Sequence, residues 1–256
     1  MHAQDAAECA EAPLPCYTTN VGGSLSLLTV MGEYGCKRLV YASAAAVYGN
    51  AGSAPIDEGV PVCPLSPLAA SKAAVEAVLQ DLCRADAGWH VGILRPFEVV
   101  GGHSSGMLRE RRTFGECGGC MAALTRVAHG DERSLRVYGN KLPTPDGTLV
   151  RDYVHVMDVA EAFVAALFAL DVQLRGATVL NLGTGKGASV LELADTFARA
   201  HGMEVPHVAY PACPREPPVL VADVQRAKRV LQWQPRRALL QMCVDAYDRD
   251  ARCADA

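Results

Sequence analysis

Long apolar runs and aromatic residues are both scarce in this 256-residue chain. Phe, Tyr and Trp make up 6% of the residues. No segment approaches the run of about 18 apolar residues that a membrane-spanning helix needs. The first residues are acidic and lack the apolar stretch of a signal peptide. We therefore expect a cytoplasmic protein with neither a membrane span nor a secretory leader.

A surplus of positive charge is also missing. The chain has 24 Lys and Arg against 28 Asp and Glu, which gives a net charge of -4 at pH 7. Proteins that bind a nucleic-acid backbone usually present a broad basic surface. Here acidic residues interleave with most of the short basic clusters. We expect no nucleic-acid partner.

The ten cysteines follow no regular spacing, and a chain of this size does not need a disulfide framework. Cys117 and Cys120 form a C-x-x-C pair, but a zinc site needs a second pair, which the sequence lacks. A thioredoxin-type motif should follow a strand and start a helix, whereas the segment before Cys117 is irregular. The sequence thus predicts free thiols in a reducing compartment and no metal site.

Short apolar runs alternate with stretches of helical periodicity along the chain. Strands are predicted at residues 39–43, 91–95, 135–138 and 179–182, with an edge strand at 205–210. Helices are predicted at residues 17–34, 68–85, 121–129, 157–170, 189–201, 224–232 and 238–250. Such alternation indicates an α/β fold with a doubly wound parallel sheet.

Several motifs occur in a consistent order. The most specific is LVRDYVHVMD at residues 149–158, entered through the turn PTPDGT at residues 143–148. The others are NVGGSL at 20–25, VYASAAAVYG at 40–49, PLSPLAASK at 64–72, LRPF at 94–97 and NLGTG at 181–185. Together they resemble the UDP-glucose 4-epimerases, which are extended short-chain dehydrogenases/reductases of the NAD-dependent epimerase/dehydratase family.

The resemblance implies a mechanism and shows where this chain departs from it. In that family a tyrosine takes the proton from the sugar 4-hydroxyl while hydride leaves for NAD, a nearby lysine lowers the tyrosine pKa, and a serine relays the proton. Lys72 matches the lysine, but Leu68 stands at the tyrosine position and Ala44 at the serine position. Because such proton transfer is worth about 10²–10⁴-fold in rate, we expect impaired catalysis.

The resemblance also implies a cofactor, NAD, although part of its site is missing. Asn20, Ser43, Lys72 and Phe97 match family positions on the cofactor side. For Asn20 and Phe97, plain capping or packing is the alternative. The glycine-rich fingerprint that binds the cofactor pyrophosphate does not open this chain.

The implied substrate is a UDP-sugar. Arg151 and Arg215 match family arginines that contact the substrate diphosphate, and a guanidinium suits phosphate oxygens because it binds them in a bidentate, permanently charged way. Tyr138 matches an aromatic residue beside the uracil, with a core role as the alternative. For Arg151 the alternative is a surface ion pair with Asp152.

Two features weaken or compete with this interpretation. Glu98 and Gly119 occupy the positions of family asparagines that hold the nucleotide, and a carboxylate at position 98 would repel a diphosphate. The turn at residues 183–187, GTGKG, follows a strand and precedes a helix, so it could also belong to a methyltransferase-like nucleotide binder. A lone loop of this type is weak support.

The matches also divide the chain. Residues 1–97 are expected to be the remaining part of the NAD-binding domain, 98–150 mainly a small α+β substrate lobe, 151–204 a return to the Rossmann sheet, and 205–256 the lobe and C-terminal helices. Residue 1 falls near the family's fourth strand, so the strand at 39–43 would expose an apolar edge, which is an aggregation or partner-binding surface. Family members often form dimers through helices that match residues 17–34 and 68–85.

Two functional classes therefore stay open. One is an epimerase, or a part of one, whose start is set too late. The other is a non-catalytic protein that binds a nucleotide sugar or a partner.

Overall fold

The fold is known from a computed structural model that describes residues 6–52, 55–108, 119–170, 172–212 and 216–247. Its strands are β1 (Arg38–Ala42), β2 (His90–Pro96), β3 (Glu98–Val100), β4 (Leu135–Tyr138), β5 (Val150–Arg151), β6 (Tyr153–His155), β7 (Gly176–Leu182), β8 (Ala188–Ser189), β9 (His207–Tyr210) and β10 (Val219–Leu220). Its α-helices are α1 (Ala6–Glu11), α2 (Pro13–Tyr17), α3 (Gly23–Glu33), α4 (Pro67–Ala85), α5 (Cys120–His129), α6 (Val156–Ala169), α7 (Val190–His201), α8 (Gln225–Leu231) and α9 (Leu239–Ala246).

Three parallel strands form the central sheet, in the order β1-β2-β7. The middle strand β2 buries alternate residues on opposite faces. Val91 and Ile93 pack with α3 and α4, whereas Leu94 packs with α6 and α8. Burial on both faces explains why this strand is a continuous apolar run in the sequence. The predicted α/β class, with helices on both faces of a parallel sheet, is confirmed.

The helix expected at residues 17–34 is present, but it begins earlier and contains a π-helical turn. Helix α2 ends at Tyr17, a π-helical turn covers Thr18–Gly22, and α3 begins at Gly23. Cys9 and Cys16 form a disulfide with a Cα–Cα distance of 5.3 Å, so the prediction of free thiols is wrong for this pair. Two consecutive short helices bring these cysteines together, and that turn of the chain is not visible in their spacing.

A second core lies in the lobe, where the parallel pair β4-β9 packs with α5, α7 and α9. Helix α7 therefore belongs to the lobe core, whereas β7, from the same range 151–204, lies in the central sheet. Helix α8 in turn packs against β7 although it falls in the range 205–256. An amphipathic pattern indicates that one helix face is buried, but not which strands bury it.

Short strands join the two cores. Strand β3 pairs with β6, and β5 lies between β10 and β8. These pairings carry the LVRDYVHV motif from the edge of the lobe to the start of α6. Within the described residues, no helix is both long enough and apolar enough to cross a membrane.

Gly49 ends the turn that follows β1, and a substitution there tests whether this turn requires glycine. Its φ is +57°, and a Cβ added there would lie 2.0 Å from the Cys63 carbonyl oxygen. We expect Gly49→Ala to lower the free energy of unfolding by about 3 kcal/mol or more, because it combines a left-handed backbone with steric overlap.

Gly35→Ala is the matched control, measured by the same urea unfolding. Gly35 also has a positive φ, +69°, but a Cβ there would meet nothing within 4 Å. A loss of about 1 to 2 kcal/mol is expected from the backbone alone. Equal losses in the two variants would contradict the proposed overlap with Cys63.

Candidate functional site

Lys72 lies at the junction of α4 and the carboxyl end of β1. Helix α4 begins with Ser66 as its N-cap, whose Oγ accepts from the Ala69 amide at 3.2 Å, and with Pro67 as its first residue. One turn later the Lys72 Nζ donates to the Ala42 carbonyl oxygen at 3.0 Å. Burial lowers the pKa of Lys72, and the nearby Glu76 carboxylate opposes this shift.

Position 68 lies one helical turn before Lys72 and carries no ionisable group. Residues four apart on a helix share a face, so a tyrosine at position 68 would lie beside the lysine. Leu68 contributes only its backbone carbonyl, which accepts from the Ser71 hydroxyl at 2.7 Å. Position 68 is therefore beside Lys72, but it provides no phenol whose pKa the lysine could lower.

The two positions after β1 also offer no proton relay. Ala44 has an extended backbone, with φ -159° and ψ 154°, and ends in a methyl group. Ser43 is buried, and its hydroxyl donates to the Glu76 carboxylate. Arg95 binds the same carboxylate through two nitrogen atoms, with Nε at 3.0 Å. The Ser43 hydroxyl is thus part of a buried ion-pair network.

Asn20 and Phe97, the other residues expected on the cofactor side, make packing and linking contacts. The Asn20 amide donates to the Ser71 hydroxyl at 2.9 Å and to the Cys16 sulfur at 3.5 Å. Phe97 is 7% exposed and packs near Tyr48, with ring centroids 6.4 Å apart. The structure therefore brings Asn20 to the same end of α4 as Lys72, because Asn20 contacts Ser71, the residue before Lys72.

Neither nearby tyrosine takes the place of the missing phenol. The Tyr48 hydroxyl donates to the Asn181 side chain at 2.7 Å, and Arg95 lies over the Tyr48 ring at 4.7 Å. Burial raises the pKa of Tyr48, and it raises the pKa of Tyr41 to about 12. Both phenols are therefore held protonated, which is the opposite of what a base needs.

The sequence did not predict the buried ion pair of Glu76 with Arg95 or the buried side chain of Asn181. All three side chains are nearly inaccessible to solvent. A signal was present, because Arg95 interrupts an otherwise apolar buried strand and a buried charge needs a partner. Its partner Glu76 lies on a helix from another part of the sequence, and no local pattern connects the two.

A cavity of about 210 Å³ opens between the lobe and β6. Its lining mixes acidic, basic and aromatic side chains, among them Glu98, Arg126, Arg136, Tyr138, Arg151 and Tyr153. Tyr138 and Arg151, both expected to bind substrate, therefore face one space. Arg215, the third, lies outside the described residues.

Arg151 is held at the cavity wall by contacts within the chain. Its Nη1 donates to the Val150 and Pro217 carbonyl oxygens, both at 2.9 Å, and its Nη2 donates to the Glu216 carboxylate at 3.2 Å. The ion-pair partner is therefore Glu216, not Asp152. The Tyr138 ring packs against Tyr210, with centroids 5.7 Å apart, so a contact within the β4-β9 pair holds Tyr138 at the cavity wall.

Glu98 brings negative charge into the same cavity. Its Oε1 lies 2.6 Å from where a Cβ on Gly119 would be, so the carboxyl group occupies space that a larger residue at position 119 would need. Burial raises the pKa of Glu98, Arg151 lowers it, and Glu216 raises it. Glu98 and Glu216 therefore both compete with an anionic ligand for Arg151.

Asp152 accounts for the glycine-rich loop that could have bound a nucleotide. Its carboxylate accepts from the Thr184 amide at 2.7 Å, the Thr184 hydroxyl at 2.6 Å, the Gly185 amide at 2.9 Å and the Ala222 amide at 3.2 Å. Burial raises the pKa of Asp152, and these hydrogen bonds oppose the rise. The loop amides already bind an anion, so the loop gives no support to a methyltransferase-like site.

Metal and thiol chemistry find no support in the described residues. No group of three His, Cys, Asp or Glu there could hold a metal ion. Burial raises the pKa of the Cys120 thiol to about 12, which makes it a poor nucleophile. Cys117, the other half of the C-x-x-C pair, lies outside the described residues. His155 caps α6 by accepting from the Met157 amide, and it bonds Asp245 at 3.0 Å.

Known proteins resemble this chain closely in sequence. It is 38% identical to UDP-glucose 4-epimerase 4 of Oryza sativa subsp. japonica over 244 residues, which are 94% of this chain and 65% of the rice protein. It is 40% identical to UDP-glucose 4-epimerase of Bacillus subtilis (strain 168) over 240 residues, which are 94% of this chain and 70% of that enzyme. The chain thus spans about two thirds of the length of these relatives.

Solved structures agree. A UDP-glucose-4-epimerase from Stenotrophomonas maltophila, with bound NAD and formylated UDP-arabinopyranose, superposes with a TM-score of 0.92 at 38% identity, covering 96% of this chain and 73% of the other. The UDP-glucose 4-epimerase of Bifidobacterium longum, in complex with NAD+ and UDP, gives 0.85 at 34% identity, with 96% and 73% coverage. The sheet is therefore part of a Rossmann fold.

The family itself follows from a profile match that covers most of the chain. The model of the NAD dependent epimerase/dehydratase family matches residues 1–183, which contain β1 to β7, Lys72 and the motif around Arg151. The resemblance inferred from the sequence is thereby confirmed, and the chain belongs to the NAD dependent epimerase/dehydratase family.

Proposed function

We propose that this chain is a UDP-glucose 4-epimerase-like protein that retains a site for a UDP-sugar but lacks the proton transfer of epimerisation. The observation that carries the proposal is at α4. Leu68 stands one turn before Lys72, and the Lys72 Nζ donates to the Ala42 carbonyl oxygen. The activity of UDP-glucose 4-epimerases is the interconversion of UDP-galactose and UDP-glucose in galactose metabolism.

The cavity supports the substrate part of the proposal. Arg151 offers a fixed guanidinium for phosphate oxygens, and Tyr138 offers a ring against which a base could pack. The Tyr153 hydroxyl lines the same cavity, is buried, and has no hydrogen-bond partner within the described residues. A buried hydroxyl without a partner is costly, and a ligand oxygen would satisfy it.

Support for an NAD site is limited to a few residues near the carboxyl end of β1. Asn20, Ser43 and Lys72 lie near the carboxyl end of β1, where family positions face NAD, but their polar groups are bound within the chain. Among the described residues, the one glycine-rich loop between a strand and a helix already binds the Asp152 carboxylate. These residues do not form a cradle for a cofactor diphosphate, so we assign no reaction step to NAD in this chain alone.

Loss of the proton transfer follows from the chemistry that Lys72 requires. A lysine charge lowers the pKa of a phenol beside it, and that phenol then accepts the sugar proton. Leu68 cannot accept a proton, Ala44 cannot relay one, and the phenols of Tyr41 and Tyr48 are held protonated. The alternative within the same proposal is a protein that binds a nucleotide sugar, or a partner, for a purpose other than catalysis.

Assembly and location complete the proposal. A homodimer through the helices at residues 17–34 and 68–85 is supported by an exposed apolar stripe on α3 and the residue after it, where Leu27 is 54%, Val30 51% and Tyr34 83% exposed. Exposed apolar stripes of this kind often mark an interface. For a cytoplasmic location, the five free thiols that the described residues contain are in favour, whereas the Cys9–Cys16 disulfide is against it.

The purified chain is expected to show no turnover of UDP-galactose above the blank in a coupled assay with added NAD. The double change Leu68→Tyr with Ala44→Ser is expected to stay inactive, because it restores the proton path but not the cofactor cradle. Fluorescence titration with NADH measures that second defect separately. Ordinary turnover by the unmodified chain would refute the loss of chemistry.

Binding of UDP-glucose is expected to depend on Arg151. We expect Arg151→Ala to weaken binding, measured by calorimetry, by about 10- to 100-fold, because a charged hydrogen bond contributes roughly 1.5–3 kcal/mol. Arg84→Ala is the control, since Arg84 is exposed and pairs only locally with Asp81. Equal binding by both variants would place the ligand elsewhere, and no binding at millimolar ligand by the unmodified chain would exclude the site.

The affinity for UDP-glucose is expected to rise as the pH is lowered through the range in which Glu98 gains its proton. Burial raises the pKa of Glu98, so this carboxyl is protonated at a higher pH than an exposed glutamate would be, and it then stops repelling the diphosphate, which stays ionised. Glu98→Gln should bind more tightly than the unmodified chain at pH values where Glu98 is ionised, and it should lose most of the pH dependence. Glu33→Gln, on the exposed side of α3, is the control, and an unchanged profile in Glu98→Gln would show that another group titrates.

A further inference from the structure

The segment that contains α8 and the start of α9 concentrates positive charge in a chain that is acidic as a whole. The net charge of the chain is -4 at pH 7. Residues 224–244 nevertheless contain no Asp or Glu, and their cations are Arg226, Lys228, Arg229, Arg236 and Arg237. A local surplus of one charge creates a potential that attracts ions of the opposite sign. This part of the surface therefore favours anions.

A second cavity, of about 530 Å³, opens between this segment and the loop after β7. Lys228, Arg236 and Arg237 line it from the segment, and Lys186 lines it from the loop. Among the described residues that line it, Glu192 is the one acid. The volume is in the range of cavities that hold small organic ligands, and the lining gives this cavity a positive charge.

Three of these four cations are available to a ligand. Arg237 is the exception, because its guanidinium forms ion pairs with two carboxylates of α6. Lys186, Lys228 and Arg236 form no ion pair within the part of the chain that the structure describes. A cation without a partner at a cavity wall can bind an anion without first giving up a contact of its own.

The segment that carries Arg236 is fixed in position. Gln232 ends α8 with a left-handed backbone, at φ +50°. Trp233 is buried, and its indole nitrogen donates to the Asp158 carbonyl oxygen at 2.9 Å. The Arg237 amide donates to the Asp158 carboxylate at 3.1 Å. Contacts with α6 thus hold the chain on both sides of Arg236, which lowers the entropy lost when a ligand binds.

Most of the remaining lining is apolar. Met242 is 1% exposed and Ala188 is 8% exposed, and both line the cavity together with Pro235, Ala238 and Leu239. Apolar walls suit the organic part of a ligand, since burying apolar surface is favourable. The cavity therefore combines groups that bind an anion with groups that bind a hydrocarbon or ring.

We propose that this second cavity binds a small organic molecule that carries a phosphate group. Lys186, Lys228 and Arg236 hold the phosphate, and its organic part lies against Leu239 and Met242. Guanidinium and ammonium groups are the usual partners of phosphate oxygens. A phosphate ester has close to two negative charges at neutral pH, so it matches several unpaired cations better than a carboxylate, which has one.

The second cavity is separate from the lobe cavity. Among the described residues, Tyr153 alone lines both of them, whereas Arg151 lines only the lobe cavity. The proposal therefore does not depend on whether the lobe binds a UDP-sugar.

The test is an NMR titration of the ¹⁵N-labelled chain with two probes, inorganic phosphate and phenyl phosphate. We expect the amide signals of Gly187 and Ala238, which line the second cavity, to shift and saturate with both probes. Phenyl phosphate should bind at least about threefold more tightly, because its ring is removed from water. The Gly119 amide, in the lobe cavity, should not follow the same curve.

Three results of this titration would overturn the proposal. Saturation at Gly119 but not at Gly187 would place the phosphate in the lobe cavity. Shifts that do not saturate at millimolar probe would show that there is no site. Equal affinities for the two probes would exclude an organic ligand of the proposed kind.

Variants separate a site from a general attraction of anions. Lys228→Ala with Arg236→Ala should weaken phenyl phosphate binding at least about tenfold, because two charged contacts are lost. Arg226→Ala with Arg229→Ala is the matched control. It removes the same charge from exposed positions of the same segment that do not line the cavity, and it should change the affinity less than about twofold because solvent and salt screen such charges. Equal weakening by the two double variants would refute the site.

Discussion

The carboxylate of Asp152 is the contact on which the arrangement of the two cores depends. It accepts four hydrogen bonds, three from the loop after β7 and one from the second residue after β10. An ion buried this deeply is tolerated only when its oxygens are satisfied, so the loop and β10 have little freedom to move. The neighbours of Asp152 in the chain, Arg151 and Tyr153, are thereby set at the cavity wall.

The proposed site has two parts with different chemistry. The lobe cavity contains a guanidinium and aromatic rings, which suit a nucleotide diphosphate, although Glu98 and Glu216 reduce its positive charge. The junction of β1 and α4 contains Lys72 and the buried pair of Glu76 with Arg95, but no phenol beside the lysine. Removing one partner of this ion pair would leave an unpaired charge in the core, whereas Leu68 is compatible with the helix.

Much of this organisation could be predicted from the sequence, and the remainder could not for physical reasons. The strands at β1, β2, β4 and β7 and the helix α4 were predictable because periodicity and burial are local properties. The packing of α7 into the lobe, the pairing of Cys9 with Cys16, and the contact of Arg151 with Glu216 depend on where distant segments meet. The roles of Lys72 and Leu68 came from resemblance, since no local pattern distinguishes a catalytic lysine from a surface one.

The central position of β2 has a consequence for the order in which the protein can fold. Its partner β1 precedes it, but its other partner, β7, follows only after the strands and helices from β3 to α6. During synthesis a ribosome therefore releases β1, α4 and β2 long before β7, the strand that pairs with the other edge of β2. Closing so long a loop is entropically slow, and the nascent chain must keep an apolar strand from premature pairing throughout that interval.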